Sequence, residues 1–95
     1  MDSENRVREA HLQDWCIRHL AETLNLKPAQ IDPNTTFSRL GMDSAKSIFY
    51  LVGIEEWLGV ELSAELVFQH QSVAELARYL ARQPEVARAL ERLTS

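Results

Sequence analysis

An all-α bundle is the fold class this sequence predicts, and three observations predict it. Apolar residues recur at helical spacing along most of the chain. Three glycines and three prolines in 95 residues leave little material for the turns of a β-sandwich. Leu, Ala and Glu, all good helix formers, are abundant. The length suits one domain that buries one modest core and is too small to enclose a deep substrate cavity as well.

Each element has its own signal. Residues 1–5 are polar and read as a frayed start, and 1–10 as a tail or linker ahead of a domain over 11–83. From about 6 to 25 one helical stripe holds Leu12, Trp15, Cys16, Leu20, Thr23 and Leu24, with Ile17 on its shoulder. Pro28, and Asp32 before Pro33, break that pattern and open a long loop. Leu26, Ile31, Phe37 and Leu40 are its expected apolar anchors, and long anchored loops in small domains are often functional. A second helix is predicted over about 44–58, stopped by Gly59. "AELVFQH" reads as a short helical turn or two. "SVAE" has the form of a capping box, Ser72 with Glu75, and opens a helix that buries Val73, Leu76, Ala77 and Leu80. Pro84 at a first helical position starts a C-terminal helical extension or linker over 84–95, with Val86, Leu90 and Leu93 on one side. The sum is three main helices, one short helix and an extension.

The helix after Ser44 carries two apolar stripes. Ser47, Leu51, Ile54 and Leu58, with Tyr50 beside them, form one. Ala45, Ile48, Phe49 and Val52 form the other. Such a helix is either central to the bundle or shows one face to a partner. Ser44 is either a helix cap or a residue that carries chemistry, because a phosphate ester there would meet the free N–H groups and positive dipole end of the helix. Asp43 opposes an anion at that place and Lys46 partly offsets it.

Charge and composition exclude several functions. The net charge is −4 and no basic run is interleaved with aromatics, so nucleic acid is not an expected partner. The N-terminus lacks the apolar core of a signal peptide, and no apolar run reaches membrane-spanning length, so no membrane is expected. The lone Cys16 cannot form an internal disulfide, which points to a reduced, cytoplasmic setting. It lies on the apolar stripe and reads as a buried structural thiol rather than a nucleophile paired with His19. His11, His19 and His70 show no metal-ligand spacing, so no metal is expected. Trp15 reads as core, Trp57 as either rim packing or an exposed contact, and His70 as the source of a local hydrogen bond.

"FSRLGMDSAKS" resembles the attachment motif of acyl carrier domains, Leu-Gly-x-Asp-Ser followed by a helix. "WLGVELSAELVFQHQSVAELARYL" is similar to the family's helix end, short third helix and last helix, and "IDPNTTFSRLG" to its long loop. The resemblance runs from about residue 12 to 82 and implies a right-handed four-helix acyl-carrier bundle. It implies that Ser44 is esterified by 4′-phosphopantetheine from coenzyme A, with Asp43 helping the modifying enzyme bind metal or orient the serine. The arm would then carry acyl groups as thioesters, and the domain itself would not be an enzyme. The implied partners are a phosphopantetheinyl transferase, an acyltransferase or acyl-activating ligase, and a ketosynthase. They would dock on Ala45, Lys46, Ile48, Phe49, Val52, Glu55 and Glu56. Asp before Ser44, where peptidyl carriers commonly have His, and the "GVELSAELVFQHQSVAELARYL" tail resemble modular polyketide synthases of secondary metabolism.

Three departures from the pattern bear on partner choice. Ala45 replaces a large apolar residue, Lys46 stands where fatty-acid carriers often have an acid, and Gln69 and Gln71 replace Asp and Pro. Ala45 and Phe49 suggest a loading or otherwise specialised carrier. The expected state is a monomeric domain, either cut from a larger synthase or independent. The rivals are a peptidyl carrier of a nonribosomal synthetase and a helical interaction module that has no prosthetic group.

Overall fold

Helix α1 (Asp2–Leu24) opens the fold, and Glu4 near its start suits the positive end of the helix dipole. The computed structural model describes residues 2–94, with side chains described over 3–93, so Met1 of the expected frayed start lies outside it. From Asp2 onward the chain is helical, which corrects the expected helix start near residue 6. The first turns are tied down: Glu9 pairs with Arg78 at 3.5 Å, and Arg8 Nε donates to the Ala81 carbonyl at 3.4 Å. Twenty-three helical residues span about 34 Å, which matches the longest dimension of the molecule, 34 Å.

α1 ends where Asn25 turns left-handed at φ 58°. Leu26 N–H donates to the Ala21 carbonyl and Asn25 N–H to that of Glu22, closing a Schellman-type end. A 3-10 turn at Pro28–Gln30 follows inside the long loop. Ile31 and Phe37 are buried and Leu40 half-buried, as expected of anchors. Leu26 is instead 36% exposed, since it caps the end of α1 at the surface. Backbone bonds fix the loop to the start of a later helix: Phe37 N–H donates to the Gln71 carbonyl at 2.8 Å and Ala74 N–H to that of Pro33 at 2.9 Å.

The remaining elements are α2 (Ser44–Leu58), α3 (Leu66–Gln69), α4 (Val73–Ala81) and α5 (Pro84–Thr94). Gly59 stops α2 with φ 68°, its N–H donating to the Glu55 carbonyl at 2.7 Å. Ser72 caps α4 by accepting the Glu75 N–H at 3.2 Å. α1 packs on α4 and α2, and α5 packs on α2 and α4. Along the α1–α2 seam, His19 meets Tyr50 and Trp15 meets Trp57, so the two helices run antiparallel. Leu12, Cys16, Leu20, Tyr50, Leu51, Ile54, Leu58, Leu76 and Leu80 form the centre of the core. Val86, Ala89 and Leu90 of α5 complete it, while Leu93 of the expected stripe is half exposed. Trp15 is only partly buried: its ring stacks on Trp57 at 4.2 Å and 2°, and the pair covers the seam rather than filling the core. His70 makes the expected local hydrogen bond through its backbone, its N–H donating to the Leu66 carbonyl at 2.8 Å to close α3, while its imidazole stacks on Tyr79 at 4.5 Å. No helix among the described residues is long and apolar enough to cross a membrane.

Candidate functional site

Gly41, at φ 94°, turns the end of the long loop toward α2. Asp43 then takes the extended conformation of an N-cap, and its carboxylate accepts the Lys46 N–H at 2.8 Å. The cap is thus Asp43 and not Ser44. Ser44 is the first helical residue, is exposed, and its hydroxyl has no hydrogen-bond partner among the described residues. One turn on, Ser47 is buried and its Oγ donates to the Asp43 carbonyl at 2.7 Å, which locks the cap from the core side.

The two stripes of α2 separate as their spacing requires. Ser47, Tyr50, Leu51, Ile54 and Leu58 are buried. Ala45, Lys46, Ile48, Phe49 and Val52 are exposed, Phe49 at 72% and Ile48 at 53%. Glu56 is exposed as well. Glu55 is half-buried and faces elsewhere. Its carboxylate accepts the Leu62 N–H at 2.7 Å and ties the chain after α2 back to the helix.

Beside Ser44 lies an open groove of about 510 Å³ between the end of the loop, α2 and α3. Phe37, Met42, Val67 and Phe68 supply its apolar lining, and Thr36, Ser38 and Gln71 supply hydroxyl and amide groups. Phe68, 63% exposed, is the residue that sequence reasoning missed. The signal was there. Leu66, Val67 and Phe68 are consecutive, and a four-residue helix can turn only two of three such residues inward.

Cys16 is fully buried, and burial pushes its thiol up to about 12 while the neighbouring Tyr50 hydroxyl pulls the other way. Tyr50 OH donates to the Cys16 carbonyl at 3.2 Å. A thiol held protonated inside the core is no nucleophile, and it lies apart from the groove beside Ser44.

Three comparisons bear on this arrangement. The family described as "Phosphopantetheine attachment site" matches residues 14–80, most of the chain. An acyl carrier protein of Teredinibacter turnerae, TtuC, is 24% identical over 78 residues, covering 82% of this chain and 90% of its own. One polypeptide of the phenolphthiocerol/phthiocerol polyketide synthase of Mycobacterium tuberculosis is 32% identical over 73 residues, 77% of this chain; this chain spans 4% of that much longer protein. Among solved structures, a free-standing peptidyl carrier protein of Acinetobacter baumannii superposes with a TM-score of 0.73 at 25% identity, covering 76% of this chain and 90% of the other.

Proposed function

Because this chain belongs to the phosphopantetheine attachment family, we propose that it is an acyl carrier of the polyketide branch with its 4′-phosphopantetheine on Ser44. It is a carrier domain and not itself a catalyst. The observation that carries the residue assignment is the division of labour at the start of α2. Asp43 caps the helix, so the Ser44 hydroxyl is left free and solvent-facing.

The residues beside Ser44 fit the arm. A phosphodiester on Ser44 would lie at the positive end of a 15-residue helix. The groove offers apolar walls and hydroxyl and amide groups, which suits a chain made of a gem-dimethyl carbon, a hydroxyl and two amides joined by methylene spacers. When bound, the arm supplies a terminal thiol that holds acyl groups as thioesters. This chain's own part is to fix the attachment point on a rigid helix, keep it open to water, and offer an apolar face to the enzymes it visits.

The exposed stripe Ala45, Ile48, Phe49 and Val52 supports that docking role, with Lys46 and Glu56 at its borders. In this reading the partners are a phosphopantetheinyl transferase, a loading acyltransferase or ligase, and a ketosynthase, all in the cytoplasm. The carrier bundle in this reading spans 11–83, and α5 closes its core from outside that span. A second reading, a peptidyl carrier, is favoured by the likeness to the Acinetobacter protein; Asp43 before Ser44 stands against it.

Incubation with coenzyme A, magnesium and a broad-specificity phosphopantetheinyl transferase, followed by intact-protein mass spectrometry, tests the proposal. The wild-type chain gains one arm and Ser44→Ala gains none. A wild-type chain that stays unmodified refutes it. Competing adenylating enzymes for amino acids and ligases for carboxylic acids then separate the peptidyl from the acyl reading by which of them loads the arm.

A further inference from the structure

Ser44 and Lys46 share the first turn of α2, about 3 Å apart along the helix axis. Both are exposed. The Lys46 ammonium is in no ion pair with another described residue. The acid one turn before it, Asp43, has its carboxylate on the Lys46 backbone N–H at 2.8 Å. Other nucleophiles near this turn are withdrawn into the core. Cys16, Ser47 and Tyr50 are buried, and the hydroxyls of Ser47 and Tyr50 donate to carbonyls within the chain. Lys46 is one of two lysines, against eight arginines, in the whole sequence, and a guanidinium, always protonated, does not attack a carbonyl. The other lysine, Lys27, stands in the loop beyond α1. Lys46 is thus the amine built into the same helical turn as the attachment serine.

We infer that Lys46 is an acyl-acceptor site: it takes over, as an amide, an acyl group left idle on the arm. The inference rests on the carrier reading, since it needs a thioester tethered to Ser44. In the transfer the neutral Lys46 Nζ attacks the thioester carbonyl carbon. A C–N bond forms, the C–S bond breaks, and the proton lost from nitrogen goes to the departing sulfur, so no oxidant or further reactant is needed. The products are a free thiol on the arm and an amide on Lys46. Side chains two positions apart on a helix point to different sides, so a short tether would not bring the groups together. The arm is long and flexible, and closing such a loop costs only slightly more as it lengthens. Only the neutral amine attacks, which makes the transfer slow beside a turnover and confines it to arms that no enzyme has emptied. The amide removes a cation from the border of the exposed stripe, so a stalled carrier presents a different face from a fresh one.

The test uses the full chain, given an acetylated arm in one step from acetyl-coenzyme A and the broad-specificity transferase and then freed of both. After incubation at neutral pH, hydroxylamine strips the thioester and leaves any amide. One acetyl group is expected to survive this treatment, on Lys46. It shows in a tryptic digest, because an acylated Lys46 is not cleaved and residues 40–78 then leave as one fragment. With an effective concentration of about 1 mM for the tethered donor, this amide forms about a hundredfold faster than in the armless chain held in about 10 μM acetyl-coenzyme A. The yield per chain is expected to be independent of protein concentration. Lys46→Arg abolishes the amide, measured per thioester present at the start, and Lys27→Arg leaves it. An amide shared equally with Lys27, a yield that rises with protein concentration, or a thioester lost with no amide formed overturns the inference. A chain that gains no arm at the first step strikes the carrier reading itself, so the two failures are told apart.

Discussion

At the scale of single residues, the decisive contrast is between two neighbours. Asp43 commits its side chain to the backbone of α2, and Ser44 commits its side chain to nothing within the described residues. Asp43→Ala should lower the stability of the domain by about 0.5–2 kcal/mol in denaturant titration, with Asp43→Asn keeping most of it. Cys16 gives a pH signature with a definite sign. Its folded thiol titrates at about 12, above an ordinary value of 9.0, because burial disfavours the thiolate. Between those values the unfolded chain binds fewer protons than the folded one, so stability falls as pH rises from about 9 toward 12 and is unaffected by this group below 9. Tyr50, pushed well above 10.0 by burial first and then by Cys16, adds in the same direction. Denaturant midpoints measured from pH 8 to about 11 should therefore decline less steeply for Cys16→Ala than for the wild type.

The sequence displays Asp and Ser side by side but not which of them caps. Both residue types serve as caps, and only the placement of the first helical turn separates them.

At the scale of elements, α2 holds together two requirements through Gly53. The His19 ring of α1 lies where a methyl group at position 53 would sit, and its Nε2 is 3.1 Å from the Tyr50 carbonyl. The same ring stacks on Tyr50 at 5.3 Å and on Trp15 at 4.9 Å. Gly53→Ala should thus destabilise by about 1–3 kcal/mol, although alanine's helix propensity alone would favour it by about 1 kcal/mol. Adding His19→Ala should remove most of that penalty in a double-mutant cycle. Additive penalties would show that the ring and the glycine do not meet.

The helices were legible because their signals are local. The two stripes of α2, the stop at Gly59 and the cap at Ser72 are all written in residues within a few positions of each other. Gly53 was not legible. Its reason is a contact with His19, far away along the chain, and the sequence does not show where two helices cross. The exposed Leu26 belongs to the same class: an apolar residue in a loop looks like an anchor until the chain's path is known.

At the scale of the whole molecule, α5 decides how much of the chain the core needs. The family match ends at residue 80, and yet Val86, Ala89 and Leu90 are buried against α2 and α4. Deleting 84–95 should open the core and cost at least about 2 kcal/mol, comparable with removing one large buried side chain. Thermal melts of the full and shortened chains would show this. An unchanged midpoint would mean that the domain closes without α5. From sequence, α5 reads equally well as linker, docking element or cap, because an amphipathic stripe reveals that a helix has a buried side but not what buries it.

The central claim is that this fold exists to hold one free hydroxyl at a fixed place, and its location can be read directly. Trypsin cleaves after Arg39 and Lys46, so residues 40–46 leave as "LGMDSAK", in which Ser44 is the only serine. After treatment with coenzyme A and the transferase, peptide mapping should find the added phosphopantetheine on that fragment and nowhere else. An unmodified 40–46 fragment beside an arm on any other peptide would contradict the account.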